Sequence, residues 1–427
     1  MTATTVVTYM KNMPAWARWM LYALVGVVVL NVVQGFDDTS LLTAEGSSRA
    51  MLRWGVPILL AGLGGLFAER AGVVNIGLEG MMILGTWFGA WGALQYGAWW
   101  GLVFGALGGA LGGLLHAVAT VQFGVDHVIS GVAINILGPG FARFLSSEIF
   151  AKKYKSQGGS ITQSPRVPTV GRFTVPFLSG GNLFGWKTPD ILGWFEKKDW
   201  FFVSDITGIA RGLTSAMSWV TVFAVLMIPF VTWLLWRTRF GLRLRIAGER
   251  PGAGEAQGIN IYFYKYVGVI TSGALAGLGG AFIASQELSG VYKEGQTTGR
   301  GFIGMAALIF GNWRPAGIFG GAMLFGYPFA LKLQDLDGRA SHSLLLVTAI
   351  AMFAVMVSAM LRKNSSDTAL AAVFGGAALL WYLLAKTPPD WWAAILPYVI
   401  VLVVLIFFTK RLRPPAADGQ VYRKGEV

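Results

Sequence analysis

Eleven apolar stretches in this chain approach the roughly 20 residues that a helix needs to cross a bilayer, and a twelfth is shorter; little sequence remains for any other architecture. Bounded by charges or by Gly and Pro, they run 15–34, 51–68, 73–95, 97–122, 125–147, 215–236, 264–287, 301–312, 315–333, 343–361, 368–386 and 390–409. The short one, 301–312, is closed by Asn312-Trp313-Arg314-Pro315, so it belongs to a longer span or to a re-entrant half-helix. The expected fold class is all-α, a polytopic membrane helical bundle of about 12 spans (10–12). Composition agrees: 54% of the 427 residues are hydrophobic and only 13% charged, whereas soluble domains are nearer a quarter charged. With no Cys, disulfides, Cys-ligated zinc and thiol catalysis are excluded. The three His residues (His116, His127, His342) are too scattered in sequence to suggest a metal site.

Orientation follows from Lys and Arg in short loops, which are retained in the cytoplasm. Lys11, Arg18, Arg237 to Arg250, Arg314, Arg362, Lys363 and the tail residues Lys410, Arg411, Arg413, Arg423 and Lys424 fall on one side, which makes both termini cytoplasmic. Outside fall Asp37, Asp38 and Glu45, the loop 332–339 and the corner 388–392. Segment 148–214 is basic yet also falls outside, because long loops translocate largely regardless of charge. The net charge of +13 reports orientation and contact with anionic membrane lipid, and no nucleic-acid-binding stripe is present. The N-terminal apolar run is too long for a signal peptide, and Gln34-Gly35-Phe36-Asp37 lacks a small-x-small cleavage pattern, so it is expected to be a first span.

Gly101, Gly105, Gly109 and Gly113 recur every four residues, a small-residue face on which another helix backbone packs closely. Gly273 with Gly277, and Gly317 with Gly321, repeat the device. No Gly-x4-Gly-Lys-Ser/Thr string occurs, so the chain has no ATPase site of that kind.

Ionisable groups at membrane depth are costly and face a bundle interior or an aqueous cavity. The run from Glu69 to Gly80 carries such groups. Glu69 and Arg70 fit best as a pair at a span end, whereas Asn75 and Glu79 lie deeper and serve either as caps or in a solute pathway. Asp126 suits an interface cap; Ser130 and Asn135, inside the fifth span, serve in interhelical hydrogen bonding or in solute contact. Between Arg237 and Lys265, Pro251 suits a first helical turn and Gly258 a stop, which gives a short surface helix that needs a docking partner.

Taken together, Glu69 to Met81, Val125 to Asn135, Arg239 to Glu249, Ala256 to Asn260 and Gly299 to Pro315 form five strings in one order. They resemble the permease subunits of bacterial ABC importers in the ribose and branched-chain amino acid class, nearest the nucleoside importers that use a basic membrane lipoprotein as receptor. The resemblance covers residues 51–333 and parts of the tail. It implies a multi-pass protein of the bacterial cytoplasmic (inner) membrane that pairs with a second homologous permease, with two cytoplasmic ATPases that bind ATP and Mg, and with an extracytoplasmic substrate-binding lipoprotein. No cofactor is implied in this chain itself. It further implies that residues 248–258, with Gly248, Glu249, Arg250, Pro251, Glu255 and Gly258, form the coupling helix in a groove of the ATPase. Segments 51–147 and 215–333 would be the two halves of the permease core, 1–50 an added span and outer loop, 148–214 an outer insert, and 334–427 added spans, a last span and a cytoplasmic tail. Arg250 departs from the small or amide residue that precedes the proline in that pattern.

The expected function is therefore a non-enzymatic transport subunit for nucleosides or related ribose-containing solutes. Sugars or branched-chain amino acids are the nearest alternatives. An ion-coupled secondary transporter would need a midplane ion site, for which Glu79 is the main candidate. A membrane enzyme would need a nucleophile, base or metal constellation that these residues do not assemble.

Overall fold

The computed structural model describes residues 13–183, 185–198, 200, 202–286, 290–385, 388–389, 391–392, 395–396, 398–399, 402 and 412–425. Lys11, Lys410, Arg411 and most of the stretch 390–409, which entered the orientation and span count, lie outside them. The main helices are α1 (Ala15–Phe36), α2 (Glu45–Arg70), α3 (Leu78–Tyr96), α4 (Ala98–Ala117), α5 (His127–Leu145), α6 (Trp219–Arg237), α7 (Arg239–Glu249), α8 (Pro251–Ala256), α9 (Ile261–Gln286), α10 (Arg300–Phe310), α11 (Pro315–Lys332), α12 (Arg339–Leu361) and α13 (Ser365–Leu384).

Among the described residues, seven helices are long and apolar enough to cross a membrane: Glu45–Arg70, Ala98–Gln122, His127–Lys153, Trp219–Arg237, Ile261–Gln286, Arg339–Leu361 and Ser365–Leu384. By these measures seven of the expected spans are supported among the described residues, and the count of about twelve is not confirmed. α3 and α11 are helical, but Glu79 and Gln95 in the first and Gly, Pro and Lys332 in the second dilute their hydropathy. α10 has only 11 residues, too few to cross alone at 1.5 Å per residue.

Local chemistry explains the boundaries. Asp126 caps α5 by accepting from the backbone N–H of Val128 (2.8 Å) and Ile129 (3.1 Å). Thr238 caps α7 through Gly241 N–H, at 3.1 Å, and Pro251 opens α8 at its first position.

Two compact units are present. One comprises Met1–Met51, Thr174–Ala216 and Pro328–Leu396, the other Leu52–Phe173, Met217–Tyr327 and Pro397–Val427. The segment 148–214, expected as one insert, is thus divided between them. In the first unit Arg211 is held by Glu45 (2.9 Å), Asp190 (2.7 Å) and Glu196 (2.8 Å). There too, Asp37 accepts from Ser343 (2.6 Å) and meets the His342 ring at 2.8 Å.

In the second unit, α3, α4 and α9 form a backbone-to-backbone core. A Cβ added at Gly109 would lie 2.6 Å from Gly277 Cα, one at Gly113 2.7 Å from Val269 O, one at Gly105 3.0 Å from Gly85 O, and one at Gly101 2.6 Å from Ala93 Cβ. The four-residue glycine repeat thus sits where α4 meets α3 and α9. Only hydrogen fits at these positions, so the helices gain dispersion contact along their whole backbones, the device available where lipid removes the hydrophobic drive to associate.

Candidate functional site

Between α2 and α3 the helix is broken over residues 71–77, beginning at Gly72 with φ +80°. Most of these residues are buried, and unwound backbone shut away from water must find partners within the protein. Here side chains from three helices supply them. Lys265 of α9 donates to Gly72 O (3.0 Å), Val74 N–H donates to Nδ1 of His127 (3.2 Å), and Asn135 of α5 donates to Ile76 O (2.9 Å) while accepting from Gly80 N–H (2.7 Å). His116 Nε2 lies 3.1 Å from Val74 O, which can only accept, so the neutral ring carries its proton there and accepts from Ser130 through Nδ1 at 2.8 Å. Asn75 closes the turn by accepting from Gly77 N–H (3.1 Å) and donating to Ser272 Oγ (2.8 Å).

Glu79 serves a different element. Its carboxylate accepts from Thr297 Oγ1 (2.6 Å), Gly299 N–H (3.0 Å) and Gly301 N–H (2.7 Å), at the N-terminus of α10. Free N–H groups and the positive end of the helix dipole make that a favourable seat for a buried anion. Gly301 permits the approach, because a Cβ there would lie 2.5 Å from Glu79 Cα. Arg300, next in the chain, is buried with its guanidinium 4.1 Å from the centre of the Trp54 ring.

Of the polar residues singled out from sequence, Asn75, Ser130 and Asn135 therefore converge on the break, and Glu79 joins α3 to α10. The residues missed were His116, His127, Lys265 and Ser272. Two of the histidines judged scattered meet on the backbone of Val74, 42 and 53 residues away in sequence.

Beyond the break, α7 and α8 carry the segment read as a coupling helix. Gly248 lies against the end of α2, where a Cβ would be 2.5 Å from Arg70 O, and Glu249 pairs with Arg70 at 3.4 Å. Arg250, Ala253, Ala256, Gln257 and Gly258 are exposed, and Gly258 ends the helix at φ +77°. Glu255 accepts from the phenol of Tyr422 at 2.6 Å. Elsewhere in the tail, Asp418 approaches Glu69, Arg70 and Lys265, and burial pushes its carboxyl up to about 7, opposed by its interactions with Glu69 and with the Lys265 charge.

A carboxyl whose docked pKa is raised favours docking while it holds its proton. Tail docking is therefore expected to be strongest below about pH 4, to weaken as pH rises from there, and to level off above about 7. A spin label on Lys424→Cys, the sole thiol in such a chain, should gain mobility between about pH 4 and about pH 7, and Asp418→Asn should flatten that response. A label equally mobile across the range would contradict it.

Residues 49–337 match the model of the branched-chain amino acid transport system permease component family. The chain is 34% identical over 283 residues to the nucleoside ABC transporter permease protein NupC of Lactococcus lactis, covering 65% of this chain and 78% of that one. It is 33% identical over 292 residues to the guanosine ABC transporter permease protein NupQ of Bacillus subtilis, covering 66% and 81%. A putative glucose ABC transporter permease protein of Haloferax volcanii, TsgC13, is 32% identical over 295 residues, covering 68% and 78%. No solved structure matches. With seven apolar helices among the described residues and a family match across the helical core, this integral membrane chain belongs to the branched-chain amino acid transport system permease component family.

Proposed function

We propose that this chain is the transmembrane permease subunit of an ATP-driven importer of nucleosides in a bacterial cytoplasmic membrane, with both termini cytoplasmic. The solute class rests on the relatives named for nucleoside and guanosine transport, NupC and NupQ. A sugar is the second reading, favoured by the relative named for glucose. A second homologous permease, two ATPases that bind ATP and Mg, and an extracytoplasmic binding lipoprotein complete the assembly.

The observation that carries the mechanism is the position of α8. It is too short to be stable alone, lies with its flanks Arg250 and Gln257 and its own Ala253 and Ala256 exposed, and directly follows α7, whose Gly248 packs against Gly72 of the break. ATPase closure would press on α8, and the load would pass to a segment held by side-chain hydrogen bonds. Such bonds can exchange partners between outward- and inward-facing states. On this reading Asn75, Ser130 and Asn135 act on the pathway by holding its backbone, and Glu79 by fixing α10.

The test is uptake of radiolabelled uridine and adenosine by cells carrying the chain with its partner proteins. With the Walker B carboxylate of the partner ATPase disabled, uptake is expected to vanish, and an uncoupler is expected to leave the intact system unaffected. Uptake that survives the ATPase lesion and collapses with the ion gradient would establish a secondary transporter instead.

A further inference from the structure

We propose that the tail, residues 412–425, is a positioning strap that fixes α8 to the broken segment 71–77, so that motion delivered at α8 reaches the break instead of being absorbed in the loop. The proposal rests on α8 being the ATPase docking element. A six-residue helix has no rigidity of its own, and its usefulness as a lever depends on what ties it down.

The strap ties it at successive points. Arg413 N–H donates to Asn312 Oδ1 (2.8 Å), Ala416 N–H to Glu249 Oε2 (3.2 Å), Ala417 N–H to Gly248 O (2.9 Å) and Tyr422 OH to Glu255 Oε2 (2.6 Å). The Tyr422 ring also packs on Tyr262 at the start of α9, with centroids 5.4 Å apart. Its other edge reaches the break. A Cβ at Gly419 would be 3.4 Å from Val74 Cγ2, and the buried Asp418 carboxyl faces Glu69 at the end of α2. Val421 lies against Gly124, just before α5. The strap therefore touches the coupling segment on one edge and the break on the other. It engages Glu255 and leaves Ala253, Ala256 and Gln257 exposed. A partner can occupy that outward face with the strap in place.

The test uses the complete importer, purified with its ATPases and reconstituted in liposomes, with solute uptake, ATP hydrolysis and ATPase retained per permease measured together. Tyr422→Phe is expected to lower solute moved per ATP several-fold, with the retained ATPase unchanged. Glu255→Ala should do the same, and the double variant should be no worse than either single one, because both remove the same bond. An unchanged ratio, additive losses, or ATPase retention that falls in step with uptake would overturn the strap. Ala253→Trp tests the underlying reading separately and is expected to strip the ATPase from the complex. Retention of the ATPase would remove α8 as the docking element, and the strap proposal with it, whatever Tyr422→Phe does.

Discussion

Replacing Gly277 by leucine is expected to eliminate correctly folded protein from the membrane. A single added carbon at 277 would lie 2.7 Å from Gly109 Cα and 2.8 Å from Gly109 N, and neither atom can rotate aside. α4 and α9 would have to separate along the glycine face, and the dispersion contact of that face would go with them. Overpacking costs ~1–3 kcal/mol where neighbouring side chains can yield. Here the neighbours are backbone, so the cost is expected at or above the top of that range, against a total stability of ~5–15 kcal/mol. The contrast lies in α13, where nothing is within 4 Å of a Cβ at Gly376. Gly376→Leu should extract and elute like the unmodified chain in fluorescence-detected size-exclusion chromatography, whereas Gly277→Leu should elute as aggregate or be missing. Equal monodisperse yields would refute the close packing.

Glu79→Ala should lower uptake and the amount of assembled importer together. The substitution leaves Thr297 Oγ1 and the N–H of Gly301 without their acceptor in a buried place, and the part-buried N–H of Gly299 with them. Each buried polar group so orphaned costs ~1–3 kcal/mol, enough for the α2–α3 break and α10 to lose their common anchor. Glu79→Gln keeps an acceptor oxygen and is expected to retain part of both quantities. Uptake lost with assembly intact would place Glu79 in contact with solute instead. Quantitative immunoblotting of the co-purified complex beside the uptake measurement separates the two outcomes.

The features legible in sequence are those set by near neighbours. Hydropathy over some 20 residues marks spans, a glycine every fourth position marks a packing face, and Pro251 with Gly258 marks a short helix. The break was only partly legible: Gly72, Gly77 and Gly80 surround Asn75 and Glu79 within one short run, yet residues 73–77 fell inside an apolar stretch counted as a span. What closes the break was not legible. Lys265 reaches Gly72 across 193 residues and Asn75 reaches Ser272 across 197, and no local pattern announces either pairing. Likewise, Glu255 and Tyr422 are 167 residues apart, so the tail read as a basic segment rather than as a partner of α8. The span count was less legible, because helices such as α3, with Glu79, Gln95 and several glycines, fall short of the hydropathy that marks seven others among the described residues.

The glycine face has a mechanical consequence. A contact made by side chains can slip by stepping between rotamers, but a contact made of backbone has no such gears and either holds or parts. α3, α4 and α9 must then travel as one plate during a transport cycle. The compliance lies at the joint on its rim, residues 71–77, where the clamps supplied by α4, α5 and α9 are side-chain hydrogen bonds that can let go of one partner and take another.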